Sequence, residues 1–418
     1  MDSAQIDRRT VLKGAAAATS GLAVVQVAGP PAAFGGEIGH GEVIPWSDQP
    51  PPIPEPVQGV FGRPLRWESL DAFYIANDKF FTVKHYGDVR LSGSAYRLRI
   101  EGLVARPQTL SLAALEALPH RSVDFTLECS GDDGFPFVVG AIGNARWGGT
   151  PLHSLLRRAR PRDDDLEVVF WGADKGEVTI RDNSGVTGGG FTGSVTPDST
   201  GGLDLTITEH FARSMSLRDA MAEQNLLCYQ MNGAPLPVEH GYPVRLIAPG
   251  WYGVANVKWL NRIELRRGRY AGRFMARDYV TIREEEHHGE TVWTFTTVGR
   301  ARLKSAPAKV VRIGDRYKIF GAAWGAPISR VDVRIDDGPW RRARLQRRLG
   351  RAGGSGFAWR FWTFEWGHPS PGAHAVTTRA FDDDGHVQPA PQDPVIANRR
   401  TFWENNGQIT RHVIIPAH

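Results

Sequence analysis

The sequence predicts an α+β domain followed by an all-β sandwich of immunoglobulin-like character, with the boundary near residue 300. At 418 residues the chain exceeds one ordinary domain. From about residue 70 to 290, strand-like runs alternate with short helical segments. From about 305 the texture changes to short strands divided by tight turns, the spacing of a β-sandwich.

The elements follow in order. Residues 1–35 belong to targeting: Asp7-Arg8-Arg9-Thr10-Val11-Leu12-Lys13 precedes a weakly apolar Ala/Gly/Val run, Gly14 to Ala28, and the pattern is that of a twin-arginine export signal. That run is too short and too rich in Ala and Gly to span a bilayer, so no stable membrane span is expected, and the protein is expected to reach the periplasm already folded. Residues 36–65, with Pro50-Pro51-Pro52, Pro54 and Pro56, read as an extended arm. Within 66–300, Tyr96 to Ile100 reads as a strand, and Ser111 opens a helix that Pro119 ends. Thr150-Pro151 caps a second helix, and the Gly/Ser/Thr-loaded stretch Asn183 to Gly202 reads as a loop insertion. Within 301–418, Tyr317–Phe320, Val331–Ile335 and Ala375–Phe381 read as strands, with Asp336-Asp337-Gly338 and Asp383-Asp384-Gly385 as hairpin turns.

Composition narrows the function. With 41% hydrophobic and 23% charged residues the chain can bury proper cores. A net charge of +5 without lysine-rich runs or stacking-aromatic motifs fits an anionic cofactor or substrate and excludes nucleic acid as the expected partner. Two cysteines make no disulfide framework, and a single Cys129–Cys228 bridge has no signal in its favour.

The thiol of Cys129 is the most informative group. It ends a run in which Val123, Phe125 and Leu127 alternate with Asp124, Thr126 and Glu128, a strand with one buried face, and small turn residues follow at once. A thiol placed there can face a cleft as a nucleophile or a metal ligand, or be a plain buried residue. Three further segments are dense in groups able to hold an anion: Gly140 to Trp147, Met231 to Arg245, and Pro249 to Leu260. Glycines there permit close backbone approach, and His240, Arg245 and Lys258 offer donors.

These segments, in this order, resemble the sulfite oxidase family of molybdenum enzymes, and the resemblance runs from about residue 65 to the C-terminus. It implies that the α+β domain holds one molybdopterin and that the sandwich makes a homodimer. Residue by residue, it implies that Cys129 is the thiolate on molybdenum and that His240, Arg245 and the turn Asn256-Val257-Lys258 contact the pterin and its phosphate. His85 in Phe81-Thr82-Val83-Lys84-His85 matches a pterin contact with Lys84 beside it, and Asp174 matches an acidic pterin contact. Tyr279 matches the active-site tyrosine, and Arg400 an arginine reaching from the second domain to the substrate. The activity implied is oxygen-atom transfer on a small sulfur compound, sulfite to sulfate by default. Because no Cys-x-x-Cys-His haem motif occurs, electrons are expected to leave to a separate acceptor such as a c-type cytochrome.

The chain departs from the family after the cysteine. Cys129-Ser130-Gly131-Asp132-Asp133-Gly134 carries two acids where the family has arginines, the segment before Arg146 is short, and Val83 or Lys84 replaces a substrate arginine. Two aspartates at a pocket mouth would repel sulfite by about 1 kcal/mol each at about 4 Å. A sulfane or sulfoxide substrate is the first rival expectation, and a metal-free binding protein on the same fold the second. Other features have plain readings: Glu284-Glu285-Glu286-His287-His288 is a solvated hairpin tip, Cys228 a core thiol, Arg341 to Arg348 a basic surface, and Trp359 to Trp362 sandwich core.

Overall fold

The computed structural model describes Phe34 and residues 41–49, 60–132, 140–181, 204–350 and 356–417. The export signal apart from Phe34, the proline cluster of the arm, Asp133 and the insertion 183–202 fall outside these residues. Among the described residues no helix is long and apolar enough to cross a membrane.

Two five-stranded sheets build the first part of the chain. One runs in the order Gln108–Leu110, Leu98–Gly102, Leu260–Arg266, Glu167–Arg181, Asp204–Ser216. Its only parallel pair is Leu98–Gly102 with Leu260–Arg266. The other sheet runs Ala234–Pro235, Leu226–Met231, Ile142–Pro151, Arg121–Glu128, with Arg245–Ile247 also on Leu226–Met231. The expected helix after Ser111 is present as Leu112–Glu116, with the Ser111 hydroxyl accepting from the Ala114 N–H at 3.1 Å. The second helix, Leu152–Ala159, buries Leu152, Leu155 and Leu156, but Thr150 does not cap it. Its hydroxyl donates instead to Leu115 O at 2.8 Å, tying the sheet to the first helix, while Asn225 O takes the Leu152 N–H.

The sandwich is present as expected. One sheet runs Glu42–Ile44, Lys304–Ile313, Arg316–Trp324, Arg360–Gly367, Arg344–Leu345, the other Arg341–Arg342, Ile328–Ile335, Gly372–Asp382, Ile409–Ile415. Val310, Ile319, Val331, Val333, Trp362 and Val376 fill the space between them. Both expected turns form, with Asp336 and Gly385 in the left-handed region that these residues tolerate. The arm is more than a spacer, since Glu42–Ile44 adds an edge strand, Val43 opposite Val311.

The cysteine strand, Arg121–Glu128, differs from expectation in a telling way. Phe125 and Leu127 are buried and Val123 half-buried, but Asp124, Thr126 and Glu128 are buried too. The polar face meets protein, not water. Thr126 Oγ1 accepts from the Trp359 N–H at 2.7 Å, Asp124 takes Arg146, and Glu128 is 2.5 Å from Lys304 Nζ, the first residue of the sandwich sheet. Alternation therefore marked a strand gripped from both sides, one side through polar pairs. A second apolar layer, Trp67, Leu70, Phe73 and Ile142 against Val311, Phe320 and Trp324, seals the same junction.

Candidate active site

The cysteine strand delivers its thiol to a cleft whose wall is shared by Phe80, Phe81, Leu127 and Tyr279. The strand stops at Glu128 because the chain turns: Asp132 N–H donates to Cys129 O at 3.0 Å, and Cys129 N–H donates to Ala141 O at 2.8 Å. Burial pushes the thiol up to about 12, so it is a poor nucleophile as it stands, whereas a bound metal would strip its proton outright. Cys228, fully buried in the sheet behind, is the core thiol expected; both cysteines are free.

His240, Arg245, Lys258, Asp174 and His85 line the same cleft. His240 closes a helical turn, Val238–His240, and Gly241 follows with φ +106°. A side chain at Gly241 would meet Lys258 Cβ at 3.0 Å and Arg245 Cβ at 3.2 Å, so glycine lets the two bases approach. Arg245 donates to His240 O and Asn256 O, both at 3.0 Å, and lies over the Trp147 ring. Lys258 Nζ donates to Glu239 O at 2.9 Å. Asp174 enters because the register slips between Trp171 and Lys175 as Glu167–Arg181 pairs with Asp204–Ser216, a bulge that re-aims the side chain.

Tyr279 stands beside the cysteine end of the cleft. Its hydroxyl is 2.7 Å from His85 Nε2, its ring 4.4 Å from that of Trp403, and the His85 ring stacks on Phe211. Burial, then Lys258 and Arg273, depress His85 to about 3, so the imidazole is neutral. The other bases are strained in the same sense. Burial and Arg245 hold His240 near about 3; burial and Arg245 hold Lys258 near about 7; burial alone lowers Arg245 to about 10. Asp174 is raised to about 6 by burial, against the pull of Lys258. A cleft whose cations are all pushed toward neutrality is one that an anion would stabilise.

Several expected residues lie elsewhere. Arg400 is exposed, paired with Glu284 and 5.8 Å from the Trp293 ring; its neighbour Arg399 donates Nε to Thr401 O at 2.9 Å, so neither lines the cleft. Among the described residues no arginine of the second domain lines the cleft. Lys84 pairs with Asp88 at 2.7 Å. Val257 is packed in the core and offers only its carbonyl, to the Leu246 N–H, whereas Asn256 lines the cleft as expected, its amide bracing the loop through Ala248 N and Tyr252 O. Arg146 is occupied by Asp124 at 2.8 Å and by the Tyr74 hydroxyl. Asp132 does not guard the pocket mouth: it is buried, and its Oδ1 accepts from Gly140 N and Ala141 N at 2.8 and 2.9 Å, closing the turn.

Sequence reasoning missed the strap Phe402–Glu404. The Glu404 N–H donates to Ser130 O at 2.7 Å, its carboxylate takes the Thr281 hydroxyl at 2.6 Å, and a side chain at Gly131 would strike Phe402 and Trp403, both at 3.1 Å. Nothing in the local pattern signals it, although the unusual positive φ of Glu404, +57°, is the kind of strain that tight functional packing maintains.

Residues 86–274 match the model of the oxidoreductase molybdopterin binding domain, and residues 297–406 that of the Mo-co oxidoreductase dimerisation domain. The sulfite oxidase of Gallus gallus is 28% identical over 350 residues, 78% of this chain and 70% of that one. The mitochondrial sulfite oxidase of Mus musculus is 30% identical over 380 residues, 84% of this chain and 64% of that one, so the chain spans just under two thirds of that relative. The chain belongs to the sulfite oxidase family. It is a molybdopterin-dependent oxidoreductase, with the α+β and sandwich architecture of that family. The solved sulfane dehydrogenase SoxCD from Paracoccus pantotrophus shares the fold, with a TM-score of 0.68 at 23% identity over 99% of this chain and 100% of that one.

The residues present fit the family's cofactor. Two buried polar atoms on the cleft wall, Asp174 Oδ1 and Arg245 Nε, have no protein partner: an acceptor for pterin N–H groups and a donor for phosphate. The soft Cys129 sulfur suits molybdenum.

Proposed function

We infer that this oxidoreductase transfers an oxygen atom on a small sulfur compound that carries less negative charge than a sulfite dianion, and hands the electrons to a separate c-type cytochrome. One observation carries the substrate class. The arginine expected at the substrate, Arg400, is paired with Glu284 on the surface and does not line the cleft. The rings beside Tyr279 are those of His85, Phe274 and Trp403, and the cations that act on it, Arg213 and Arg273, are held by the Phe274 and Val298 carbonyls and by Asp278. A sulfane-type substrate fits this wall. Sulfite remains the second reading, supported by sulfite oxidases at 28% and 30% identity.

Bound molybdopterin supplies the two-electron oxygen-atom chemistry. The chain does the rest. Arg245, Lys258 and His240 hold the anionic end, and Asp174 accepts from the pterin. Burial keeps His85 neutral, so a single proton lies between His85 Nε2 and Tyr279 Oη, ready to be donated to a developing oxyanion or returned when water enters. The strap residue Trp403, packed on Tyr279, excludes water from that proton.

Export by the twin-arginine route to the periplasm is proposed from Arg8-Arg9 and the apolar run behind them. A homodimer through the sandwich is proposed from the match of 297–406 to a dimerisation domain. The test is a comparison of kcat/KM for sulfite and for a peptide-borne cysteine persulfide, using molybdenum-loaded protein and ferricyanide. Losing charge-assisted contacts worth about 1.5–3 kcal/mol apiece should make the persulfide better by about 100-fold. Efficient turnover of micromolar sulfite, abolished in Cys129→Ser, would return the protein to the sulfite reading.

A further inference from the structure

The arm that leads into the first domain ends against the cofactor cleft. Phe61–Gly62 pairs antiparallel with Thr82–Val83, Phe61 opposite Val83 and Gly62 opposite Thr82, and the Lys84 N–H donates to Val60 O at 2.7 Å. Thr82 and Val83 line the cleft, so this short ladder backs one of its walls. The Phe61 side chain is buried behind the same wall, in one cluster with Phe80, Phe81 and Leu127. At the other end of the segment the Leu65 N–H donates to Gly140 O at 2.8 Å. A side chain at Gly140 would come within 2.3 Å of Leu65 O, so the segment lies directly on the turn whose Ala141 O takes the Cys129 N–H.

Between these anchors stands Arg63, in the left-handed region at φ +55°, where a residue with a side chain persists only when its surroundings hold it. Its Nη2 donates to Glu239 Oε1 and its Nη1 to Asp78 O, both at 3.1 Å. Glu239 lines the cleft, belongs to the turn Val238–His240, and offers its carbonyl to Lys258 Nζ at 2.9 Å. Asp78 follows Asn77, whose carbonyl is 3.1 Å from His240 Nε2. One guanidinium on the arm therefore braces both segments that set His240 and Lys258, the groups that hold the anionic end of the cofactor. None of residues 60–65 lines the cleft itself; they act from behind its wall. Two ladder pairs and a half-exposed ion pair are the kind of hold that opens locally without global unfolding. We propose that residues 60–65 form a clasp that locks molybdopterin in its cleft, with Arg63 as the latch that acts through Glu239 and Asp78 on Lys258 and His240. Arg63 is a positioning residue, and cofactor leaves when the clasp is released. This rests on the role given above to Lys258 and His240, and not on the substrate.

The test follows release of pterin from diluted holoenzyme, read as pterin fluorescence in the filtrate, so no substrate need be known. Arg63→Ala loses two hydrogen bonds, one of them to a charge, and should release pterin about tenfold faster than wild type at low salt. High salt screens the ion pair, so it should speed release from wild type and not from Arg63→Ala. A Cβ at residue 62 would lie 3.0 Å from Thr82 Oγ1, which puts the side chains of Gly62→Cys/Thr82→Cys within reach of one disulfide. Oxidised, this variant should hold pterin about tenfold longer than after reduction with dithiothreitol, while the same treatments leave wild type unchanged. Wild-type release from Arg63→Ala overturns the proposal, as does bridged protein that releases pterin as fast as its reduced form. Release that keeps pace with global unfolding, followed by tryptophan fluorescence, overturns it too, since the cofactor then leaves with the fold. Fast release from Lys258→Met beside wild-type release from Arg63→Ala would strike the clasp alone; wild-type release from both would strike the cofactor role of Lys258 as well.

Discussion

Replacing Lys304 with methionine tests whether the thiol's position depends on the sandwich. Lys304 Nζ sits 2.5 Å from Glu128 Oε1, with each side chain 1% exposed, and it also donates to Asp132 O at 3.3 Å. Glu128 ends the cysteine strand, and Lys304 begins the sandwich sheet. At an effective dielectric of about 20 the pair attracts by roughly 7 kcal/mol, and burying the two charges costs several kcal/mol apiece, so the intact pair contributes little net stability. Removing one partner is different: burial already raises Glu128 to about 7, and without Lys304 to hold it down its carboxyl must take up a proton or stay charged and unpaired, so the expected loss is about 3–5 kcal/mol. That should lower the midpoint of thermal unfolding, followed by tryptophan fluorescence, by about 3–6 °C. The double replacement Glu128→Gln/Lys304→Met should recover most of the loss, to within about 1 kcal/mol of wild type. A single Lys304→Met that costs less than about 1 kcal/mol would show that the ion pair does not hold the junction.

Three other outcomes are expected. Asp332 in the sandwich accepts from Arg330 at 2.7 Å and from Arg379 at 3.1 Å; burial opposes its charge, but these hydrogen bonds hold its carboxyl below the usual range. Its stabilisation is therefore present above the ordinary carboxylate range and lost as pH falls through it, so Asp332→Asn should cost about 1.5–3 kcal/mol at pH 7 in urea unfolding and much less near pH 3. Lys258→Met and Asp174→Ala should each reduce cofactor retention by about tenfold or more, read as molybdenum and pterin content after gel filtration, because each removes a buried partner of the bound group. Arg400→Ala should change kcat/KM with ferricyanide by less than about twofold, since the guanidinium lies on the surface with Glu284; a loss of tenfold would put that arginine back at the substrate.

Much of this site was readable in the sequence because its residues depend on local chemistry. Cys129 at a strand end and the base-bearing segment from His240 to Lys258, with Gly241 at its closest approach, line the cleft as their residue pattern suggested, and Tyr279 lines it as the family resemblance implied. What the sequence hid was set by distant partners. Asp132 reads as an exposed acid until Gly140 and Ala141 turn their N–H groups onto it. Arg400 reads as a substrate cation, and Lys84 as a pterin neighbour, until Glu284 and Asp88 take them. The polar residues of the cysteine strand read as solvated until Lys304 and Trp359, far along the chain, cover them. The strap through Trp403 and Glu404 has no periodic or motif signal at all, since only tertiary packing brings it onto Tyr279 and Ser130.

The central claim is that Cys129 binds the metal of a molybdopterin held by the basic cleft. Molybdenum X-ray absorption on purified protein addresses it most directly. The account predicts about one molybdenum per chain with the Cys129 thiolate among its sulfur ligands, and one sulfur fewer in Cys129→Ser that still carries pterin. An identical sulfur shell in wild type and Cys129→Ser would contradict it.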